Sequence, residues 1–223
     1  MRVVLVAVLV ALAGCWAGPA PGADHGWSVA EEVLPSVVSV QAAEGRHSGT
    51  GFRVGIDGIV VTSAQAVSEA ADGAAISVGL VDGTRRAATV LGRSPEVDVA
   101  AIRLDGAQIP AMHSRSGFAQ ARAGDRVMAV RAPPRDATPA IPATLLAKDR
   151  HVALPDGTEQ AVIALDADVD RGASGAPVVN AAGDVLGVIT SAVVPGTGQP
   201  GDRAFAIPVD VARQAVFAIV DRV

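Results

Sequence analysis

Short apolar segments of strand length recur along the chain, and turn-forming dipeptides separate them. There are about twelve such runs, rich in Val, Ile and Ala, and their length and spacing are typical of β-strands rather than of βαβ units. They divide near residues 106–120 into two sets of about six, which predicts an all-β chain folded as an antiparallel sandwich or barrel. The turn signals are Asp57-Gly58, Asp82-Gly83, Pro133-Pro134, Asp156-Gly157 and Gly183-Asp184.

The two ends of this strand-rich region have helical patterns. Residues 28–31 (SVAE) have the spacing of a helix capping box, and Pro35 limits the helix that follows to about one or two turns. Near the C-terminus the apolar period becomes that of an amphipathic helix begun by Asp210. Its predicted apolar face consists of Val211, Ala215, Ile219 and Val223, with Ala212, Val216 and Val220 alongside.

The N-terminus has the pattern of an export signal. An apolar stretch over residues 3–13 follows a short positive start and is too short to span a membrane comfortably. Residues 12–15 (LAGC) resemble the bacterial lipobox, in which the Cys is diacylated and becomes the new N-terminus. We therefore predict a lipoprotein signal peptide over residues 1–14 and a membrane anchor at Cys15. The alternative is an ordinary secretory signal cut near Ala23, with the Cys incidental.

The segment that follows the signal predicts a flexible tether. Residues 15–26 are rich in Gly, Ala and Pro and have no hydrophobic period. A tether of about ten residues reaches at most ~35 Å. The folded domain, residues 27–223, is therefore expected close to a membrane of the bacterial cell envelope.

Charge and composition exclude several classes of function. Eighteen Lys and Arg stand against 23 Asp and Glu, for a net charge of −5, and the chain has no Tyr. A nucleic-acid-binding protein would need a basic patch and usually stacking aromatics, so no nucleic-acid partner is expected. The single Cys excludes an intramolecular disulfide and a Cys-based zinc site, and no His, Asp or Glu cluster has metal-ligand spacing. We expect neither a metal nor a cofactor.

Residues 170–177 (DRGASGAP) carry the clearest chemical signal. A Ser with one Gly two residues before it and another directly after it can be presented on a tight turn. Gly172, two residues before Ser174, allows the two N–H groups to point into one concavity, as an oxyanion hole requires. The alternative is a Gly-rich hairpin turn with no catalytic role.

Further motifs accompany this turn in a fixed order. Together they resemble the HtrA (Do-like) branch of the chymotrypsin-type serine proteases over most of residues 28–220. Residues 57–64 (DGIVVTSA) are similar to that family's D-G-x-I-L-T-N-A lead-in to the catalytic His. The other matching segments are 35–40 (PSVVSV), 48–52 (SGTGF), 98–104 (DVAAIRL), 124–130 (GDRVMAV), 166–180 (DADVDRGASGAPVVN), 183–188 (GDVLGV) and 204–208 (AFAIP).

The resemblance implies a trypsin-like fold of two six-stranded antiparallel barrels, at about residues 36–105 and 120–208, with the site in the cleft between them. It implies that Ser174 is the nucleophile and Asp98 the orienting acid, with Gly172 and Ser174 lining the oxyanion hole. Gln65 occupies the position of the catalytic His. A primary amide cannot accept the serine proton near pH 7, whereas an imidazole with a pKa of about 6.5 can.

Other departures from the family pattern also indicate a loss of catalytic activity. Ala173 and Ala176 replace the residues usual on either side of the serine turn, and residues 131–133 (RAP) stand where the family has G-N-P. Of the four His residues, His47 precedes the turn at residues 49–51 and is the candidate for a substitute base. The remaining three, which nothing marks as catalytic, are His25, His113 and His151.

The function predicted is that of a lipid-anchored serine protease homologue that is catalytically inactive and binds peptide or unfolded protein segments. The first alternative is a weak or conditional serine endopeptidase that uses Ser174, helped by His47 or by a His of the substrate. The second is a purely structural envelope module. Because the chain ends soon after Pro208, we expect no PDZ domain, and the oligomeric state and ligand stay open.

Overall fold

The computed structural model describes residues 23–42, 49–55, 58–106, 109–114, 117–132, 138–153, 157–191, 198 and 201–223, with side chains from residue 28 onward. The predicted signal peptide, Cys15, the first part of the predicted tether and His47 lie outside the described residues.

Within the described residues the chain forms twelve strands and three helices, together with short 3₁₀ turns. The strands are β1 (Val37–Gln41), β2 (Gly49–Arg53), β3 (Ile59–Thr62), β4 (Ala75–Gly79), β5 (Arg85–Arg93), β6 (Ala100–Leu104), β7 (Arg126–Val130), β8 (Ala140–Ala153), β9 (Glu159–Asp166), β10 (Pro177–Val179), β11 (Val185–Thr190) and β12 (Ala204–Pro208). The helices are α1 (Ala23–Val33), α2 (Gly117–Gln120) and α3 (Val209–Val220), and the 3₁₀ turns are Leu34–Ser36, Gln65–Val67 and Arg171–Ala173.

The strands form two closed antiparallel barrels of six strands each. The first has the order β1-β2-β3-β6-β5-β4, and the second has the order β10-β11-β12-β9-β8-β7. Closing each sheet on itself leaves no unpaired edge strand that another chain could extend. The predicted all-β double barrel is confirmed. Of the two predicted architectures, sandwich and barrel, the structure has the barrel.

The barrel cores explain why the apolar runs fold in this way. Side chains alternate between two faces along a strand, so every second residue can enter the barrel interior. Val40 and Ile102 are fully buried in the first barrel, as are Leu145 and Ile163 in the second. A third apolar cluster, which includes Phe52 of β2, joins the barrels and receives the helices.

Strand register brings the predicted site residues together at the barrel junction. Thr62, at the end of β3, pairs with Ala100 at the start of β6. Residue 65, just past β3, and Asp98, just before β6, therefore meet at the same end of the first barrel. In the second barrel, the Gly175 N–H donates to the Ile189 carbonyl at 2.8 Å. This bond fixes the serine turn beside the end of β11.

The first helix differs from its prediction. It begins at Ala23, within the segment predicted as tether, and Ser28 lies inside it rather than at its N-cap. Ala30 and Val33 are buried, and the helix packs against β7 and β8. It ends at Val33, where the 3₁₀ turn Leu34–Ser36, which contains Pro35, begins. The capping-box spacing therefore predicted the wrong start of the helix, since Ser28 is an interior residue of it.

The C-terminal helix is present, but its buried face is rotated from the predicted one. It begins at Val209, after Pro208, and Asp210 lies in its first turn. Val211 is 36% exposed, and Val223 lies beyond the helix and is 71% exposed. The buried positions are Val209, Ala212, Val216 and Ile219. In the part of the chain that the structure describes, no helix is both long and apolar enough to cross a bilayer.

Candidate active site

Ser174 follows the 3₁₀ turn Arg171–Ala173 and is only 2% exposed. The Ala173 N–H donates to the Asp170 side chain, Oδ1, at 3.2 Å, so Asp170 caps the turn. The Ser174 N–H donates to the Arg171 carbonyl at 3.3 Å. An oxyanion hole needs that N–H to point at the ligand. The turn is therefore closed in this conformation, and the role predicted for Gly172 and Ser174 requires the turn to open.

The serine turn is fastened directly to the first barrel. Thr50 of β2 donates its N–H to the Ser174 carbonyl at 2.9 Å and its hydroxyl to the Gly172 carbonyl at 2.8 Å. Gly175 has a φ of +84°, and a Cβ there would lie 2.2 Å from the Thr50 carbonyl oxygen. Only glycine fits such a close approach with a left-handed backbone. These contacts explain the Gly after Ser174 and hold the turn at the junction between the barrels.

Asp98, the predicted orienting acid, is buried and accepts two hydrogen bonds. Its side chain is buried, with 8% of the residue exposed. Oδ1 accepts the backbone N–H of Gln65 at 3.0 Å, and Oδ2 accepts the Thr190 hydroxyl at 2.7 Å. Thr190 ends β11, so this second bond crosses from one barrel to the other. A carboxylate that is buried and doubly hydrogen-bonded is held in one place.

Gln65 begins a 3₁₀ turn of its own, and its side chain is exposed. Arg93, at the end of β5, binds the backbone of the residues that follow Gln65. Its guanidinium donates to the carbonyls of Val67 and Ala70 and pairs with Asp72. Asp98 therefore fixes the backbone of residue 65, and Arg93 fixes the backbone that follows it.

The nearest polar neighbour of the Ser174 hydroxyl is Ser63, which the sequence analysis did not single out. The two Oγ atoms lie 2.8 Å apart, and Ser63 is fully buried. Ser63 Oγ also accepts the Ala66 N–H at 3.1 Å. Ser63 stands where the lead-in motif of the resemblance has Asn, and that mismatch was the available signal.

A second missed contact lies behind the serine turn. Arg131 pairs with the Asp170 carboxylate that caps the turn, and its side chain is only 12% exposed. The next residue, Ala132, donates its N–H to the Thr50 hydroxyl at 3.1 Å. The segment that departs from the family's G-N-P thus supports the closed turn through Asp170.

The His residues with described side chains lie elsewhere. The His113 carbonyl accepts the Val185 N–H, and His113 lines a groove beside α3 with Val216 and Phe217. His151 pairs with Ala161 in the β8–β9 hairpin. Among the described residues, no three His, Cys, Asp or Glu side chains gather as metal ligands do. The described site therefore holds a fixed Asp98 carboxyl and a buried Ser174 hydroxyl, with an amide at the position where the sequence predicted a base.

Comparison with known proteins shows the family and the fold. The profile of the trypsin-like peptidase domain family matches residues 49–188. A probable periplasmic serine endoprotease DegP-like of Rhizobium meliloti is 33% identical over 175 residues, which is 78% of this chain and 34% of that protein. Human serine protease HTRA4 is 34% identical over 202 residues, 84% of this chain and 40% of that protein. The chain thus spans little more than a third of the length of these relatives.

Solved structures show the same fold. The HtrA-type protease AlgW with decapeptide superposes with a TM-score of 0.72 at 23% identity, covering 88% of this chain and 67% of that one. A variant of AlgW with tripeptide gives a TM-score of 0.74 at 25% identity, covering 88% of this chain and 64% of the other.

Proposed function

The chain belongs to the trypsin-like peptidase domain family, as a homologue of the HtrA serine proteases, and from that premise we propose that it binds peptide segments without cleaving them. The proposal places it in the bacterial cell envelope, attached to a membrane through lipidated Cys15. Its ligands are extended peptides or unfolded stretches of protein, held in the cleft between the barrels.

The observation that carries the proposal is the environment of the Ser174 hydroxyl. It bonds to the Ser63 hydroxyl at 2.8 Å, and residue 65 offers an amide side chain that faces solvent. A neutral serine hydroxyl is a weak nucleophile until a base removes its proton. Loss of one triad member in such an enzyme lowers the rate by about 10⁴–10⁶-fold. Binding remains, since it depends on the shape of the cleft rather than on proton transfer.

The closed serine turn supports the same conclusion. The Ser174 N–H is occupied by the Arg171 carbonyl, and the Arg131–Asp170 pair holds the cap of that turn. Removing one oxyanion-hole donor costs about 10²–10³-fold in rate. The missing base and the closed turn thus act on separate parts of the reaction, and each lowers its rate.

The envelope location draws on sequence and relatives together. The bacterial relatives are named probable periplasmic serine endoproteases. The LAGC segment ending at Cys15 adds the anchor, since several acyl chains at about 0.8 kcal/mol per buried CH₂ hold a protein firmly to a membrane. Cys15→Ala should leave the product unprocessed or soluble. Detergent phase partitioning measures this, and unchanged membrane association of the variant contradicts the lipid anchor.

A weak or conditional endopeptidase is the second candidate, and one observation favours it. Asp98 keeps both of its hydrogen bonds, so a base supplied by the substrate or by His47 would find its orienting acid in place. Such an enzyme would use Ser174 as nucleophile.

One pair of measurements separates the candidates. Purified protein and its Ser174→Ala variant are treated with a fluorophosphonate probe, and both are titrated with fluorescein-labelled unfolded casein while anisotropy is followed. Casein binding by both proteins, without labelling, supports the binding function. Labelling that requires Ser174 supports the enzyme. Absence of both labelling and binding leaves the structural envelope module.

A further inference from the structure

We infer that Ser63 is a positioning residue that binds the Ser174 hydroxyl and lowers its reactivity independently of the missing His. This inference rests on the proposed function, because it assumes that position 65 is where a base would act. It adds a second, smaller cause of low reactivity within the first barrel, one that remains when residue 65 is changed.

The contact between the two hydroxyls is short and lies in the protein interior. The Oγ atoms are 2.8 Å apart, Ser63 is fully buried and Ser174 is 2% exposed. In such surroundings a hydrogen bond is electrostatically stronger than in water, and breaking it leaves two polar groups without solvent. The Ser174 side chain therefore favours the orientation that faces Ser63.

Either direction of that hydrogen bond lowers the reactivity of Ser174. If Ser174 donates, its proton points at the Ser63 oxygen, which is no base near pH 7. If Ser63 donates, it occupies a lone pair of the oxygen that must attack the substrate. Each hydroxyl has one proton and two lone pairs, so Ser63 can also accept the Ala66 N–H at 3.1 Å in both cases.

Ser63 itself has little freedom to move. It directly follows Thr62, whose hydroxyl donates to the Thr50 carbonyl at 2.6 Å. A Cβ on Gly175 would lie 2.8 Å from the Ser63 nitrogen, so the serine turn packs directly against this backbone. An imidazole introduced at residue 65 must therefore compete with a neighbour that is already in place.

The test uses Gln65→His as the background and compares it with the double variant Gln65→His, Ser63→Ala. The readout is the rate of fluorophosphonate labelling at Ser174. In that reaction the Ser174 oxygen bonds to phosphorus, fluoride leaves, and the serine proton passes to the imidazole. The double variant should react roughly three- to tenfold faster, since one hydrogen bond is worth about 0.5–1.5 kcal/mol.

Two further readouts separate positioning from a structural effect. With a small ester substrate, Ser63→Ala in the Gln65→His background should raise kcat and leave KM unchanged, since ground-state binding is not affected. The labelling rate should keep the pH dependence of an imidazole base, rising through about pH 6.5. Ser36→Ala, which removes another buried hydroxyl of the same domain, is the matched control and should leave the rate unchanged.

A second variant keeps the test valid if Ser63→Ala disturbs the turn in which Ser63 accepts the Ala66 N–H. Ser63→Asn removes the hydroxyl but keeps a side chain that can accept the Ala66 N–H. It should also react faster than Gln65→His alone.

A rate no higher in both double variants overturns the inference, as does an equal rise caused by Ser36→Ala. Failure of the proposed function has a different signature. It appears in the protein with its own Gln65, as ester hydrolysis that matches the Gln65→His variant.

Discussion

Asp98 and Ser174 belong to different barrels, and their hydrogen bonds differ in how they depend on residue 65. Asp98 receives the backbone N–H of residue 65 and the Thr190 hydroxyl, so its position survives any side chain there. The Ser174 hydroxyl bonds to Ser63, and in its predicted role it would need a base from the side chain of residue 65. The comparison teaches that the acid half of this candidate site, Asp98, is held by the fold, whereas the nucleophile half, Ser174, would depend on the side chains of residues 63 and 65.

The largest effect should come from Gln65→His. The fixed backbone of residue 65 would place an imidazole beside Asp98, which would set its tautomer and orientation. We expect hydrolysis of a small ester to rise about 10²–10⁴-fold over the unaltered protein, the usual contribution of a general base. Adding Ser174→Ala should abolish the gain. A folded but silent Gln65→His variant would show that the nucleophile half has lost more than its base, and would point to Ser63, Arg131, Ala173 and Ala176 as further causes.

The docking of the nucleophile turn can be broken at Gly175. Gly175→Ala should lower the free energy of unfolding by about 3 kcal/mol or more, because the new methyl meets the Thr50 carbonyl. Gly157→Ala is the matched control, since Gly157 has the same φ of +84° with open space around it. It should cost only about 1–2 kcal/mol from backbone strain. Denaturant unfolding measures both, and equal losses would mean that the close approach contributes nothing.

The acid half can be weakened at Thr190. Thr190→Val keeps the shape of the side chain but removes the hydroxyl that donates to Asp98. We expect a loss of about 2 kcal/mol in unfolding free energy, since a buried carboxylate loses a hydrogen bond. Thr84→Val deletes a similar bond, 2.7 Å long, to Asp82 on the surface and should change stability far less. Similar losses in the two variants would contradict the claim that burial gives the Asp98 pairing its value.

The smallest effect is expected at the exposed pair of Thr84 and Asp82. The Thr84 hydroxyl, followed by the Thr84 backbone N–H, lowers the pKa of Asp82 from its usual 3.8. Thr84→Val should therefore raise the Asp82 pKa toward that value, as NMR titration of the carboxyl would show. A lowered pKa stabilises the folded state above the unfolded pKa, and this contribution disappears as pH falls through the folded pKa. An unchanged Asp82 pKa in this variant would show that the Thr84 hydroxyl does not lower it.

The strands could be predicted because their sequence signals are local, and the structure confirms them. The motifs around Asp98 and Ser174 also predicted the site positions and the Gln65 substitution, and the catalytic roles of these residues stay predictions. The helices at the ends were less certain. The start of α1 and the buried face of α3 depend on which barrel surfaces they cover, and no local pattern records that.

The sequence by itself determined the chemistry that residue 65 cannot perform, since an amide is not a base in any fold. Only the tertiary structure decided what Ser174 does instead. The Ser63–Ser174 bond joins residues 111 apart, and the Thr190–Asp98 bond joins residues 92 apart. Contacts of this kind arise when two closed barrels pack against each other, and their partners leave no periodic signal along the chain. The physical reason is that a hydrogen bond is set by atoms a few ångströms apart, whatever their distance in sequence.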